Sequence, residues 1–116
     1  TLSAEGRQVS SFILAKTAEL QSLHEDITHR MQKYFSYDAT AEMIYGSGSV
    51  VELTLTWIRT FREKASFALF FPHITLGCGP VNQPMTFPMR MDASCLALCH
   101  LGNHCTCRKV LMQMDY

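Results

Sequence analysis

The chain has no net charge, with Lys and Arg numbering 10 against 10 Asp and Glu. That balance leaves no bulk field drawing it to a polyanion, although a local basic cluster could still hold a phosphate, and bulk charge is otherwise silent on partners; no DNA partner is expected. The sequence also lacks any apolar run of the roughly 20 residues needed to cross a bilayer. Its first residues, TLSAEGRQVSS, lack the charged-then-apolar order of a secretory signal. No membrane span is expected, and a cytoplasmic setting is the default. An evenly spread disulfide framework is missing too: the five cysteines are an odd count and four crowd into Cys95 to Cys107, which favours reduced thiols or a metal. No repeat, low-complexity tract or flexible linker divides the 116 residues, and with 47% hydrophobic and 17% charged they suffice for one core of ordinary size. One domain over residues 1–116 is expected. The start at Thr1 rather than Met leaves open that it is a piece of a longer protein.

Periodicity supplies the elements. From Gln8 to Phe35 the apolar positions Val9, Phe12, Ile13, Leu20, Leu23, Ile27, Met31 and Tyr34 recur at threes and fours, which predicts one long amphipathic helix. Asp38 to Tyr45 reads as a short strand and GSGS, Gly46 to Ser49, as the permissive reversal of a hairpin. VVELTLTWIR alternates, with Val51, Leu53, Leu55 and Trp57 on one face, and reads as a half-buried strand. ASFALFF begins another strand that runs past Pro72, a bulge, edge or strand start, into HITLG. GPVNQPMTFP is a loop, and SCLALCHL with CTCRKVLMQM flanks Gly102-Asn103 as a hairpin. One helix followed by about five strands gives an α+β fold, with a long N-terminal helix packed on a mainly antiparallel sheet.

The stretch FFPHITLGCG carries the chemistry. In a strand, His73 and Thr75 point to one face and Ile74 and Leu76 to the other, so the apolar pair is expected to anchor while the polar pair faces a groove. Imidazole transfers protons near neutral pH, and a hydroxyl one side chain along can donate to a phosphoryl oxygen. Gly77 and Gly79 would let the following backbone approach a ligand. The plain alternative is a satisfied strand histidine.

PHITLGCG resembles the second signature of the two-histidine phosphoesterase superfamily, in particular the group of 2',3'-cyclic-nucleotide 3'-phosphodiesterases, where a histidine-x-threonine-hydrophobic-glycine strand is typical. VVELTLTWI is similar to the alternating strand before that signature and CHLGN to a late hairpin, so the likeness covers roughly residues 50–116. The resemblance implies a two-histidine-phosphoesterase-like fold and the opening of 2',3'-cyclic phosphates on nucleotides or RNA ends, with neither metal nor cofactor. His73 would be the proton-transfer residue and Thr75 the phosphate-binding hydroxyl. The family uses two such motifs, and no second one precedes His73. His29, in HRMQKYFSY, has Met31 where threonine belongs and falls on the polar face of the long helix, which favours a solvated histidine. Downstream, His104 and Thr106 repeat the spacing in HCTC and complete a paired catalytic set if the two strands are neighbours with both histidines on one face; the competing expectation places His104 at a hairpin turn. Without a partner histidine the domain would be a non-catalytic relative that binds RNA ends or nucleotides, or a protein-interaction module.

Cys95, Cys99, His100, His104, Cys105 and Cys107 raise a further alternative, a small zinc-stabilised domain, although no C-x2-C pair is present and buried thiols also serve as small hydrophobes. Arg90, Arg108 and Lys109 are the basic residues nearest the proposed groove in sequence and candidates to neutralise a phosphate. Trp57 and Phe67 are core candidates first and base-stacking platforms second. Nothing in the sequence sets the oligomeric state.

Overall fold

The structure, a computed structural model, describes residues 8–115. Residues 1–7 and Tyr116, part of the expected 1–116 domain, lie outside the described residues. The fold is α+β, with helices and two small antiparallel sheets. The chain divides into two compact units, one built from segments up to Ser36 and from Thr60 to Gln83, the other from Tyr37 to Arg59 and from Pro84 onward.

In the first unit, strand β1 (Val9–Ile13) pairs antiparallel with β2 (His73–Cys78). Helix α1 (Ala18–Met31) follows β1. The single long helix expected from Gln8 therefore resolves into a strand and a shorter helix. Val9, Phe12 and Ile13 are β-branched or aromatic, and their spacing suits a paired strand as well as a helical face. Thr17 sets the helix start: its backbone is extended and its Oγ1 accepts from the Leu20 N–H at 3.2 Å. Helices α2 (Glu52–Arg59), in the second unit, and α3 (Phe61–Lys64) precede a short 3-10 turn at Phe67–Leu69, where a strand was expected over ASFALFF. Phe67 sits at φ 53, which interrupts an extended run. Pro72 lies one residue before β2, and its carbonyl accepts from the Leu14 N–H at 3.0 Å, extending the ribbon without a proline donor.

The second unit holds the buried apolar cluster of Ala39, Ile44 and Leu55, with Val50 and Ile58 packed against it. VVELTLTWIR, expected as a strand, forms helix α2 (Glu52–Arg59). The reason lies in its dual pattern: Thr54, Leu55 and Ile58 recur at one and three positions, so they line one helical face, and the first two are buried. Trp57, expected in the core, is 42% exposed. Arg59 closes the helix by donating from Nε and Nη2 to the Ala39 carbonyl at 3.0 and 2.7 Å. The short strand expected over Asp38 to Tyr45 is instead a 3-10 turn at Ala41–Met43. Gly46 and Gly48 do take the positive φ a reversal requires, 124° and 126°, but among the described residues they join no strands.

The last hairpin forms as expected. Strand β3 (Cys95–Leu101) pairs antiparallel with β4 (Cys107–Asp115) around residues 102–106. The register shifts twice, leaving Leu111 and Arg108 as extra residues on β4, which accounts for its nine residues against seven. Where about five strands were expected, the described residues hold four, in two separate two-stranded sheets.

Candidate functional site

The β1–β2 ribbon places His73 and Thr75. Ile13 stands opposite His73 and Ser11 opposite Thr75, and directly opposed residues share a face, so His73, Thr75, Ser11 and Ile13 line one side of the ribbon. The register slips between Ser10 and Ser11, leaving Leu76 unpaired beside Gly77, whose φ of 141 needs glycine. His73 and Thr75 precede that bulge and keep their shared face. Ser10 Oγ donates to the Gly79 carbonyl at 2.6 Å and ties the ribbon's end.

The tautomer of His73 is set by its own chain. Its Nδ1 lies 2.9 Å from the Phe71 carbonyl, which can only accept, so Nδ1 carries a hydrogen, and in the neutral ring Nε2 is the acceptor. The Phe71 ring is 6.0 Å away. His73 and Thr75 are exposed. The apolar partners do not anchor as expected: Ile74 is 39% and Leu76 44% exposed, so the ribbon presents both faces rather than one wall of a covered groove. Ser11 is the hydroxyl that sequence reasoning missed. It was hidden because Gln8 to Phe35 reads as a helix, in which Ser11 has no cross-strand partner.

The same unit contains a histidine with a structural role. His24 Nε2 accepts the Phe67 N–H at 2.9 Å, its ring stacks on Phe70 at 4.0 Å and 3°, and the edges of Phe61 and Phe67 meet it at 6.4 and 6.2 Å. Burial, opposed by the charge of Glu25, holds its pKa below the ordinary 6.5. A ring that accepts a backbone hydrogen bond at Nε2 must stay neutral there. His29 is exposed on α1, as expected from the polar face, and its ring tilts against Phe67 at 5.0 Å.

His104 and Thr106 occupy a different setting, in the second unit. They belong to the tight turn between β3 and β4, not to a strand, and the HITLG and HCTC segments are not neighbours in one sheet. His104 sits at φ 59, with its N–H donating to the buried Thr54 Oγ1 at 2.9 Å. Thr106 Oγ1 donates to the Asn103 carbonyl at 2.9 Å, and its own carbonyl accepts from Gly102 N–H at 2.8 Å. Asn103 Oδ1 accepts from Val51 N–H at 3.0 Å and its Nδ2 donates to the Ser49 carbonyl at 3.1 Å. The period-two facing that would pair His104 with Thr106 requires extended backbone, and the left-handed residues His104 and Cys105 abolish it.

Nor do the neighbouring ligand types converge. His100 Nε2 donates to the Met43 carbonyl at 2.9 Å while the Tyr45 ring meets it edge-on at 5.2 Å. Among the described residues no three of His, Cys, Asp and Glu are placed to hold a metal ion. Arg108 and Lys109 lie on β4, and Arg90 stands 4.0 Å from Asp92 with both side chains almost fully exposed. Among the described residues no helix is long and apolar enough to cross a membrane. No family model, curated protein or solved structure matches the chain.

Proposed function

We propose that the chain is a phosphate-recognising relative of the two-histidine phosphoesterases, binding the 2',3'-cyclic phosphate of a nucleotide or RNA end on the His73 face of the β1–β2 ribbon. In this reading the α+β fold is a shortened version of that family's. The observation that carries the proposal is the face that His73 and Thr75 share, on which the Phe71 carbonyl occupies Nδ1 of the exposed imidazole and leaves Nε2 for a ligand. Thr75 Oγ1 and Ser11 Oγ donate to phosphoryl oxygens, and His73 Nε2 accepts the proton of a water or hydroxyl approaching phosphorus. One imidazole performs only one of the two proton transfers that opening the ring needs: removal from the attacking water and delivery to the departing 3'-oxygen. Such a module binds its ligand and turns it over slowly at most.

The second reading is a cyclic phosphodiesterase in which His104 and Thr106 complete the pair. It rests on the repeated histidine-x-threonine spacing, and the turn conformation of those residues weighs against it. Incubation with 2',3'-cyclic AMP and 2',3'-cyclic NADP, assayed for both turnover and binding, separates the two. The module predicts saturable binding that His73→Ala weakens and His104→Ala leaves unchanged. Fast turnover lost equally in both variants, with the fold intact, establishes the enzyme instead. Absence of both binding and turnover in the parent chain overturns both.

A further inference from the structure

All five cysteines are free thiols, and two of them, Cys99 and Cys107, are diagonal neighbours on one face of the β3–β4 hairpin. Alternate residues of β3 return to one face, so Cys99 and Leu101 share it, and Cys107, directly opposite Leu101, shares it too. The bulge at Arg108 makes this so: without that extra residue, Leu101 would oppose Arg108 and the Cys107 side chain would fall out of step with β3. Burial first, and then the neighbouring Cys107, push the Cys99 thiol up. Cys107 is exposed and Cys99 is half-buried. The remaining cysteine of the hairpin turn, Cys105, is held at φ 53, and burial pushes its thiol up, which makes it a poorer nucleophile at neutral pH.

We propose that Cys99 and Cys107 form a reversible intramolecular disulfide by exchange with a low-molecular-weight disulfide such as oxidised glutathione. The Cys107 thiol loses its proton to solvent, and its sulfur attacks one sulfur of the glutathione disulfide, breaking that bond and releasing one glutathione thiolate. The Cys99 thiol then deprotonates, and its sulfur attacks Cys107 within the mixed disulfide, forming the protein S–S bond and releasing the second glutathione. The two electrons lost by the protein thiols reduce one glutathione disulfide to two thiols, which recover the two protons. Exposed Cys107 makes the first attack because desolvation and the contact with Cys107 both push the Cys99 thiol up. The bond staples the hairpin beside its turn, and thioredoxin-like or low-molecular-weight thiols reverse it.

The test is exposure of the purified chain to oxidised glutathione at neutral pH, read by intact mass and by differential alkylation. The expected product is monomeric, lighter by two hydrogen atoms, protected from alkylation at Cys99 and Cys107, and restored by a thiol reductant. A variant carrying Cys78→Ser, Cys95→Ser and Cys105→Ser should form it at a similar rate, and adding Cys99→Ala should convert the product to a stable glutathione adduct on Cys107. If that variant fails to fold, the alkylation map of the parent chain decides alone. Stable glutathione adducts on the parent chain, protection of a different cysteine pair, or disulfide-linked dimers as the main product would overturn the proposal.

Discussion

At His73 a main-chain carbonyl two residues back decides which ring nitrogen carries the hydrogen, and so what the ring can do. Replacing His73 by alanine removes an Nε2 that can accept from a water bridging to the phosphate while leaving an exposed strand position, so the fold should survive and affinity for a 2',3'-cyclic phosphate should fall about two- to tenfold, the scale of one neutral hydrogen bond. Equilibrium titration of parent and variant measures it. His24 shows the opposite use of the same side chain, with its nitrogen spent inward on the Phe67 N–H and its ring on three phenylalanines. Its folded-state pKa lies below the ordinary 6.5, so on acidification the unfolded chain binds the proton first. The stabilisation from neutral His24 is whole above about pH 6.5 and is lost as pH falls from there toward the lower folded value. Urea unfolding across this range should show stability declining on the acid side. His24→Phe should flatten that part of the profile while costing about 1–3 kcal/mol at higher pH, because the Phe67 N–H loses its acceptor. An unchanged slope in the variant would assign the acid sensitivity to other groups.

Two elements meet their limits at the β3–β4 turn. A Cβ built on Gly102 would stand 2.5 Å from Arg108 Cγ, a near part of the side chain rather than its mobile end. Gly102→Ala should therefore cost about 1–3 kcal/mol, the range for overpacking, and Arg108→Ala in the same chain should recover most of it. Additive losses in thermal unfolding would contradict this steric account. Thr54, fully buried on α2, accepts the His104 N–H, so Thr54→Val should destabilise by about 1–3 kcal/mol through the unsatisfied donor. These contacts explain which elements were legible in the sequence. β2 and the final hairpin were, because HITLG and the segments around Gly102-Asn103 carry period-two patterns that no helical face fits as well. α2 was not, since eight residues with apolar groups at both two-residue and three-to-four-residue spacings satisfy either period, and burial of Thr54 and Leu55 together chose the helix. β1 was hidden for the converse reason: its pairing partner lies some sixty residues downstream, and local spacing says nothing of it. Of the site, His73 and Thr75 were legible with their common face. The turn at His104 was legible as the expectation competing with a paired strand, but its left-handed backbone at His104 and Cys105 was not, because positive φ at histidine and cysteine has no sequence signature comparable to glycine's.

For the whole molecule, the two compact units separate the two histidine-x-threonine segments: His73 and Thr75 belong to one, His104 and Thr106 to the other. The account therefore gives phosphate recognition to the β1–β2 ribbon and a purely structural role to the β3–β4 turn. Backbone and imidazole NMR of the parent chain during titration with 2',3'-cyclic AMP tests that division most directly. The account predicts saturable shifts centred on His73, Thr75 and Ser11, strongest at the His73 ring, with His104 and Thr106 unmoved. Shifts centred on the His104 turn, or none at saturating nucleotide, would contradict it.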